Sequence, residues 1–328
     1  IMSKNISSSI RTVNQIVSVG SVDGVCTAAA VLRLTGNPTT CDIVFAQAFT
    51  VDRIDPKSWT ANRSVVLVDL AVNNREPAMT ERFIDGIREA GHVLVAIIDE
   101  HSREDWFKVM GMVDHLAVEP QTQAAGPDAP KSSGAVLMRA LESAGEEFDS
   151  QTRELMEAAD AGDRMDFTTR FGGFVNKAMK ANIQDDARRV YLARHFAVNT
   201  EADSTIQKWV AEYEQIEANH DKVVASKKDL GDGLHRIVAT GLRVDMTSLM
   251  SRLYREGAKV VVLEGEGFNK ALGKKVPQVS FGSKDQNFDL LTPVKAVVAT
   301  ASGFTSKVNV DPADEEAAIA AVRAALRK

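Results

Sequence analysis

Apolar and polar positions along the chain fall into two regimes. In the first hundred residues, continuous valine-rich runs at Ile16–Gly20, Val65–Val68 and Val93–Ile98 are separated by stretches with helical spacing. Runs of this length read as strands buried on both faces, the pattern of a parallel sheet. Gly24–Leu34 predicts an Ala/Val/Leu-rich helix, Asp42–Ala46 a short strand, Glu76–Ala90 an amphipathic helix and Val113–Val118 one more strand. Strand and helix alternate in a doubly wound order. Each valine-rich run stops at an acidic residue: Asp23 after Ser21-Val22, Asp69, and Asp99 followed by Glu100 and His101. Ligands of such sheets bind at the carboxyl ends of the strands, so these carboxylates are expected on one edge.

The second regime is helical and then mixed. Gln121–Lys131, with 3 alanines, 2 prolines and a glycine, predicts a loop, and Ser132-Ser133-Gly134 opens a helix to about Ser143 with a serine suited to cap it. Helices dominate from Gln151 to about Ala197. Glu201–Lys228 lacks Pro and Gly and carries Ile206, Trp209, Val210, Tyr213 and Ile216 at helical spacing, which predicts a long connecting helix with a packing stripe. Leu230-Gly231-Asp232-Gly233 ends it. A second alternating unit follows, with strands at Arg236–Ala239, Ala258–Leu263, Val276–Phe281 and Val294–Thr300, a turn at Gly265-Glu266-Gly267, and helices at Met246–Arg255 and Pro312–Leu326, the last opened by Asp311-Pro312. The fold class is therefore α/β. A doubly wound, mainly parallel sheet occupies 1–197, a helical linker 198–234, and a smaller α/β domain 235–328.

Composition narrows the function classes. At 328 residues with 44% hydrophobic and 26% charged positions, the chain has ordinary globular composition. No run approaches the roughly 18 apolar residues of a membrane span, and the start, where Ile1 ahead of Met2 reads as a cloning remnant, lacks the apolar core of a signal peptide. Cys26 and Cys41 match neither a disulfide framework nor a zinc pattern, so a reduced, cytoplasmic setting is expected. The net charge of -6 argues against nonspecific binding of long nucleic acid, which requires many Lys and Arg contacts to phosphate. The charge is uneven. From His235 onward there are 14 Lys+Arg against 10 Asp+Glu, with Lys270, Lys274, Lys275, Lys284, Lys295 and Lys307 in the excess, while the remainder has 25 against 35. Such an end suits a short anionic ligand. The six histidines show no HExxH spacing, and no G-x-S-x-G elbow, Walker loop or complete dinucleotide fingerprint occurs.

The order of these signals resembles the DHH phosphoesterase superfamily, which includes RecJ-type exonucleases, oligoribonucleases, cyclic-dinucleotide phosphodiesterases and inorganic pyrophosphatases. Val19-Gly20-Ser21-Val22-Asp23-Gly24 stands where that family has a His-x-Asp-x-Asp-Gly type of motif. Asp69 matches its second-motif aspartate, Asp99-Glu100-His101 its Asp-His-His triplet, Ser133-Gly134-Ala135 the helix start that follows, and Glu157–Asp163 the fourth motif, with Asp163 or Asp160 as its aspartate. The C-terminal part resembles the family's substrate-binding domain. The resemblance implies two Mn²⁺ or Mg²⁺ ions that activate water and neutralise phosphate charge, with Asp69 bridging them.

Departures reshape that implication. The first aspartate is Ser21, no histidine lies between Ile16 and Asp23, and the triplet's first histidine is Glu100, so one ion has lost its ligands. The remaining carboxylates, Asp23, Asp69, Glu100 and Asp163, with Asp99 beside them, suit at most one Mn²⁺ or Mg²⁺. Asp23-Gly24 equally suits a cap for the first helix, Asp69 a turn, and Asp99 a cap for a helix starting near Arg103. In the C-terminal domain Ala301–Lys307 replaces the family's Gly-rich, His-containing loop. Together with Ser133, the residues Ser283, Lys284, Ser302, Gly303, Thr305 and Lys307 are the candidates for phosphate or substrate. The expected function is binding of a phosphate-containing ligand, a nucleotide or short nucleic acid end, in an interdomain cleft, with hydrolysis weakened or lost. A one-metal phosphodiesterase with His101 near the phosphate is the alternative, and a protein-binding scaffold the second. A homodimer is compatible with each.

Overall fold

The computed structural model describes residues 5–121, 126–269 and 272–328. Lys270, the middle of the predicted 121–131 loop and the first four residues lie outside the described residues. The chain forms two compact units, 1–211 and 212–328.

In the first unit a short helix α1 (Ile6–Ile10) leads into strand β1 (Gln15–Ser18), helix α2 (Val22–Thr35), β2 (Asp42–Phe45), β3 (Ser64–Val68), α3 (Pro77–Glu89), β4 (Val93–Ile98) and α4 (Arg103–Met110). Helices α5 (Ser133–Ser143), α6 (Ser150–Asp163), α7 (Arg170–Ala181) and α8 (Asp186–Val198) follow. All strand pairs are parallel, in the order β2-β1-β3-β4. Chain direction across the sheet therefore reverses between β1 and β3, and their carboxyl ends form the switch point where ligands of such sheets bind.

Alternation along the strands explains the continuous valine runs. Ile16, Val66, Val68, Ala96 and Ile98 enter the core beneath α2 and α5–α8. Val17, Val65, Leu67 and Ile97 enter a second core with Phe83, Ile84 and Trp106 of α3 and α4. Both faces are covered, so neither can be polar. Helix α2 is buried along nearly its whole length. It begins close to β1: a Cβ on Gly24 would lie 2.0 Å from the Val19 carbonyl oxygen.

The expected strand at Val113–Val118 is corrected. Residues 113–118 form turns, and two backbone hydrogen bonds, Ala117 N to Val95 O (2.9 Å) and Ile97 N to Val118 O (3.0 Å), run the segment along β4 without a regular strand.

Helix α9 (Ser204–Ala225) leads into the second unit, which continues with β5 (Lys228–Asp229), β6 (Leu234–Val238), α10 (Met246–Arg255), β7 (Val260–Asn269), β8 (Lys274–Ser283), α11 (Leu291–Val297), β9 (Ser302–Phe304), β10 (Lys307–Val310) and α12 (Glu315–Leu326). The sheet order is β5-β6-β7-β8-β10-β9. β6 and β7 are parallel, joined through α10, and the other pairs are antiparallel. Two expectations fail here. The run predicted as a strand over Val294–Thr300 begins inside a helix, because Leu290, Val294 and Val298 bury at intervals of four while Val297 stays 56% exposed. Gly265-Glu266-Gly267 is not a turn but part of β7, where Gly267 leaves room for the Gln278 side chain: an added Cβ would meet Gln278 Oε1 at 1.5 Å.

Two glycines in helices separate close approach from simple flexibility. Gly24→Ala is expected to lower unfolding free energy by about 3 kcal/mol, the upper end for an overpacked core. Gly86→Ala, whose Cβ would meet Pro56 Cγ at an ordinary 3.5 Å, is expected to raise it by about 0.5–1 kcal/mol through helix propensity. Urea denaturation midpoints of the two variants check both signs.

Candidate metal-binding site

The β1–α2 turn sets the first side of the site. Ser21 caps α2, its Oγ accepting from Gly24 N at 2.9 Å, and the same hydroxyl donates to Asp69 Oδ2 at 2.5 Å. Ser21, not the expected Asp23-Gly24, is therefore the cap of this helix. Asp23 sits in the first turn, 2% exposed, and binds the start of a different helix. Its Oδ1 accepts from Thr27 Oγ1 (3.1 Å), Ser133 Oγ (2.8 Å) and Gly134 N (3.1 Å), and its Oδ2 from Ser133 N (2.8 Å). These donors belong to α2 and to the amino terminus of α5, where backbone N–H groups and the helix dipole favour an anion. Even so, burial outweighs them and holds the Asp23 carboxyl up at about 6. Ser133 Oγ is shared between Asp23 and Thr27 in the interior. The reading of Ser133 as a phosphate contact is corrected accordingly: its hydrogen-bonding capacity serves the carboxylate.

Asp69 ends β3 at φ 55, a left-handed conformation uncommon for a residue with a side chain. Its N–H donates to Ile98 O at 2.9 Å, which ties the carboxyl ends of β3 and β4 together. Burial, then the neighbouring Asp23 and Glu100, push the Asp69 carboxyl well above the usual range. Glu100, just beyond β4, is raised to about 8 by burial and by Asp99 and Asp23. Its Oε2 is buried without a hydrogen-bond partner.

Asp99 turns the other way. Fully buried, it accepts from Trp106 Nε1 (2.8 Å) through Oδ2 and bonds His101 Nδ1 (2.6 Å) through Oδ1. The cap of α4 is Ser102, whose Oγ accepts from Asp105 N, so Asp99 does not cap that helix. The Asp99 bond raises the His101 imidazole to about 9, so His101 is a cation at neutral pH. Its side chain is 52% exposed and also lies 3.5 Å from Glu100 Oε1.

Of the expected metal ligands, Asp23, Asp69 and Glu100 bring one carboxylate oxygen each within 4.8 Å of one another. Asp99, Glu100 and His101 form a second such group, but both Asp99 oxygens are already engaged. Asp160 bonds Ser132 Oγ at 2.7 Å and pairs with Arg164. Asp163 is exposed at the end of α6, and neither aspartate belongs to either group among the described residues. Three supporting residues escaped sequence analysis. Thr27 stands four positions after Asp23 on a helix, a spacing visible in the sequence. Trp106 and Arg189, whose Nε donates to Gly20 O at 2.9 Å, gave no such signal.

The remaining candidates lie in the second unit. Ser302 and Gly303 are on edge strand β9, Thr305 is in the tight turn to β10, and Lys307 opens β10 opposite Gly282 of β8. Ser283 ends β8 with its N–H bonded to Ser306 O at 2.9 Å, and Lys284 follows. The segment read as a loop over 301–307 is a hairpin.

Three oxygen donors with an orphaned carboxylate oxygen among them fit a hard divalent cation. Without one, pH acts through the raised groups. Below the ordinary carboxylate range folded and unfolded states are both protonated and the cluster's contribution is intact; it is lost as pH rises through about 6 for Asp23 and about 8 for Glu100. His101, charged in the folded state up to about 9, acts in the same sense. The melting temperature of metal-free protein is therefore expected to fall from about pH 5 to about pH 9, and Glu100→Gln to flatten the part of that fall below about pH 8. Scanning calorimetry at constant ionic strength tests this, and a melting temperature rising with pH would contradict it.

No family model matches the chain, and no curated protein matches its sequence. Solved structures do match. A pGpG-specific phosphodiesterase, PggH from Vibrio cholerae, superposes with a TM-score of 0.58 at 12% identity over 95% of this chain and 98% of that one. RecJ from Thermus thermophilus in complex with Mn²⁺ gives 0.50 at 13% identity over 100% of this chain and 55% of that one. CDC45 from Entamoeba histolytica gives 0.50 at 8% identity, covering 99% and 97%. The architecture, a parallel four-stranded sheet followed by a second sheet, is the fold the chain shares with these structures.

Proposed function

We propose that this protein binds a phosphate-containing ligand, a nucleotide or the end of a short nucleic acid, beside a single divalent cation, with hydrolysis weakened or lost. The observation that carries the reading is the convergence of Asp23, Asp69 and Glu100, together with a Glu100 Oε2 that is buried without a hydrogen-bond partner. Asp23 Oδ2, Asp69 Oδ1 and Glu100 Oε2 are the oxygens with capacity left after the hydrogen bonds described above. Manganese or magnesium held there would polarise a phosphoryl oxygen and neutralise its charge. Ser21 supports the count of one. Its hydroxyl occupies Asp69 Oδ2, the oxygen a second ion would share, and supplies no anionic ligand in return. Lys284, Ser302, Gly303, Thr305 and Lys307 are proposed as phosphate contacts of the second unit.

A second reading, an active one-metal phosphodiesterase, draws on His101. Its imidazole is held by Asp99, charged at neutral pH and half exposed, the properties of a group that meets a phosphate oxygen and gives a proton to a leaving alkoxide.

Calorimetric titration of Mn²⁺ into the metal-free protein is expected to give one site, abolished by Asp69→Asn; two sites of comparable affinity would overturn the count. Incubation with short oligonucleotides and Mn²⁺ separates the two readings. Little or no mononucleotide release supports the binding function, whereas turnover lost in both Asp69→Asn and His101→Gln establishes the enzyme.

A further inference from the structure

The strands of the second unit are of unequal reach. β7 and β8 run over Val260–Asn269 and Lys274–Ser283, but β6 pairs with β7 only as far as Glu264 and β10 with β8 only as far as Val279. From Gly265↔Gln278 to Asn269↔Lys274 the two strands pair with each other alone. A two-stranded ribbon of this kind is marginal in water without a further strand or a packed face. Its two outer edges differ. Ala239 N donates to Glu264 O at 2.8 Å, so the backbone of Glu264 faces the β6 side. Peptide groups alternate in direction along a strand, so Glu266 and Phe268 turn their N–H and C=O to that same side, where they have no backbone partner among the described residues. On the other strand the residue opposite Glu266 is Pro277, which has no N–H to offer. Proline thus closes the β8 edge, and the β7 edge is open.

The side chains along this open edge share one face. Directly opposed residues of an antiparallel pair lie on the same side, as do positions two apart on a strand, so Glu266, Phe268, Lys275 and Pro277 stand together. All four are exposed, Phe268 at 65%. Unpaired edges of this kind are templates for another strand. Here the edge carries an aromatic ring between an acid on its own strand and a base on the next.

We propose that the open edge of β7 pairs antiparallel with the same edge of a second copy of this chain, about a two-fold axis at Gly267. The register follows from the backbone directions. With Gly267 opposite Gly267, Glu266 of each copy stands opposite Phe268 of the other, and each such pair exchanges two N–H···O bonds, four in all. The two ribbons become one four-stranded sheet in the order β8-β7-β7-β8. Each row across its exposed face then runs from Pro277 and Glu266 of one copy to Phe268 and Lys275 of the other. Neighbouring strands lie about 4.8 Å apart, so the Glu266 carboxylate and the ammonium of the other copy's Lys275 meet over the ring between them. The two rings are diagonal neighbours, within reach of each other. Charge complementarity selects a like copy as the occupant: β7 brings the acid and the ring, β8 brings the base, and a two-fold axis matches both rows at once. The contact is small beside a standard interface of about 1,600 Å², so the dimer is weak, with a dissociation constant in the micromolar range.

Sedimentation velocity of the full chain at concentrations across the micromolar range tests it, and a monomer–dimer equilibrium is expected. Glu266→Pro removes one N–H donor in each copy, hence two of the four bonds, without touching a bond of the monomer, and is expected to weaken association at least about tenfold. Glu266→Lys and Lys275→Glu should each weaken it severalfold, and the double variant Glu266→Lys/Lys275→Glu, which exchanges the two charges, should restore it. Melting curves of the charge variants by circular dichroism, recorded below the dissociation constant, should match the parent, so that loss of the dimer is not loss of the fold. A monomer at every concentration, a dimer indifferent to Glu266→Pro, a double variant no better than the single ones, or open-ended oligomers in place of a dimer would each overturn the proposal.

Discussion

Asp23 ties the two halves of the first unit together. Its carboxylate accepts from Thr27 on its own helix and from two backbone N–H groups and a hydroxyl at the start of α5. It thereby satisfies donors that the amino terminus of α5 would otherwise bury unpaired. Position and orientation of α5 follow from it, as does the packing of Gly134 against α6, where a Cβ would lie 2.5 Å from the Met156 carbonyl oxygen. The arrangement also concentrates negative charge. Placing Asp23 at the switch point puts it against Asp69 and Glu100, and burial forces all three carboxyls upward. Folding therefore raises the cost of negative charge at this rim, and a divalent cation is the natural counter-charge for it.

Asp99 carries the complementary half of this electrostatic design. It lies on the same rim, yet Trp106 and His101 absorb both its oxygens, and the imidazolium it creates is the positive charge set beside Glu100. Two neighbouring acidic residues in sequence thus take opposite roles: Asp99 holds a cationic imidazole, and Glu100 joins the carboxylate cluster. The difference comes from direction. Asp99 points into the core beneath α4, while Glu100 points toward Asp23 and Asp69.

Much of this was legible in the sequence, for a physical reason. Strands buried on both faces leave continuous valine runs, and parallel strands of a doubly wound sheet deliver whatever follows them to one edge, so Asp23, Asp69 and the Asp99-Glu100 pair are expected together there, whereas Asp163, which the resemblance adds to the set, stands outside the cluster of Asp23, Asp69 and Glu100. What stayed hidden depends on contacts distant in sequence. Trp106 meets Asp99 because α4 folds back under β4, and Ser133 is spent on Asp23, 110 positions away. Asp160 and Asp163 were placed by motif order alone, and the structure gives Asp160 to Ser132 and Arg164. In the second unit Val294, Val297 and Val298 read as a strand by residue type, but burial at intervals of four made a helix. The length of β7 and β8 beyond their neighbours carries no local signature, since each ribbon residue looks like an ordinary strand or turn residue.

Ser21 sets the balance of charge at the β1–α2 turn. An aspartate at that position would add another negative charge beside Asp69, tolerable when two cations are present and unfavourable when they are not. A serine hydroxyl instead donates to Asp69 and still accepts from Gly24, so it caps the helix and relieves the carboxylate with one neutral group. It stabilises the turn in the metal-free state and leaves Asp69 Oδ1 open. One neutral side chain thus caps the helix and lowers the cost of holding Asp23, Asp69 and Glu100 together.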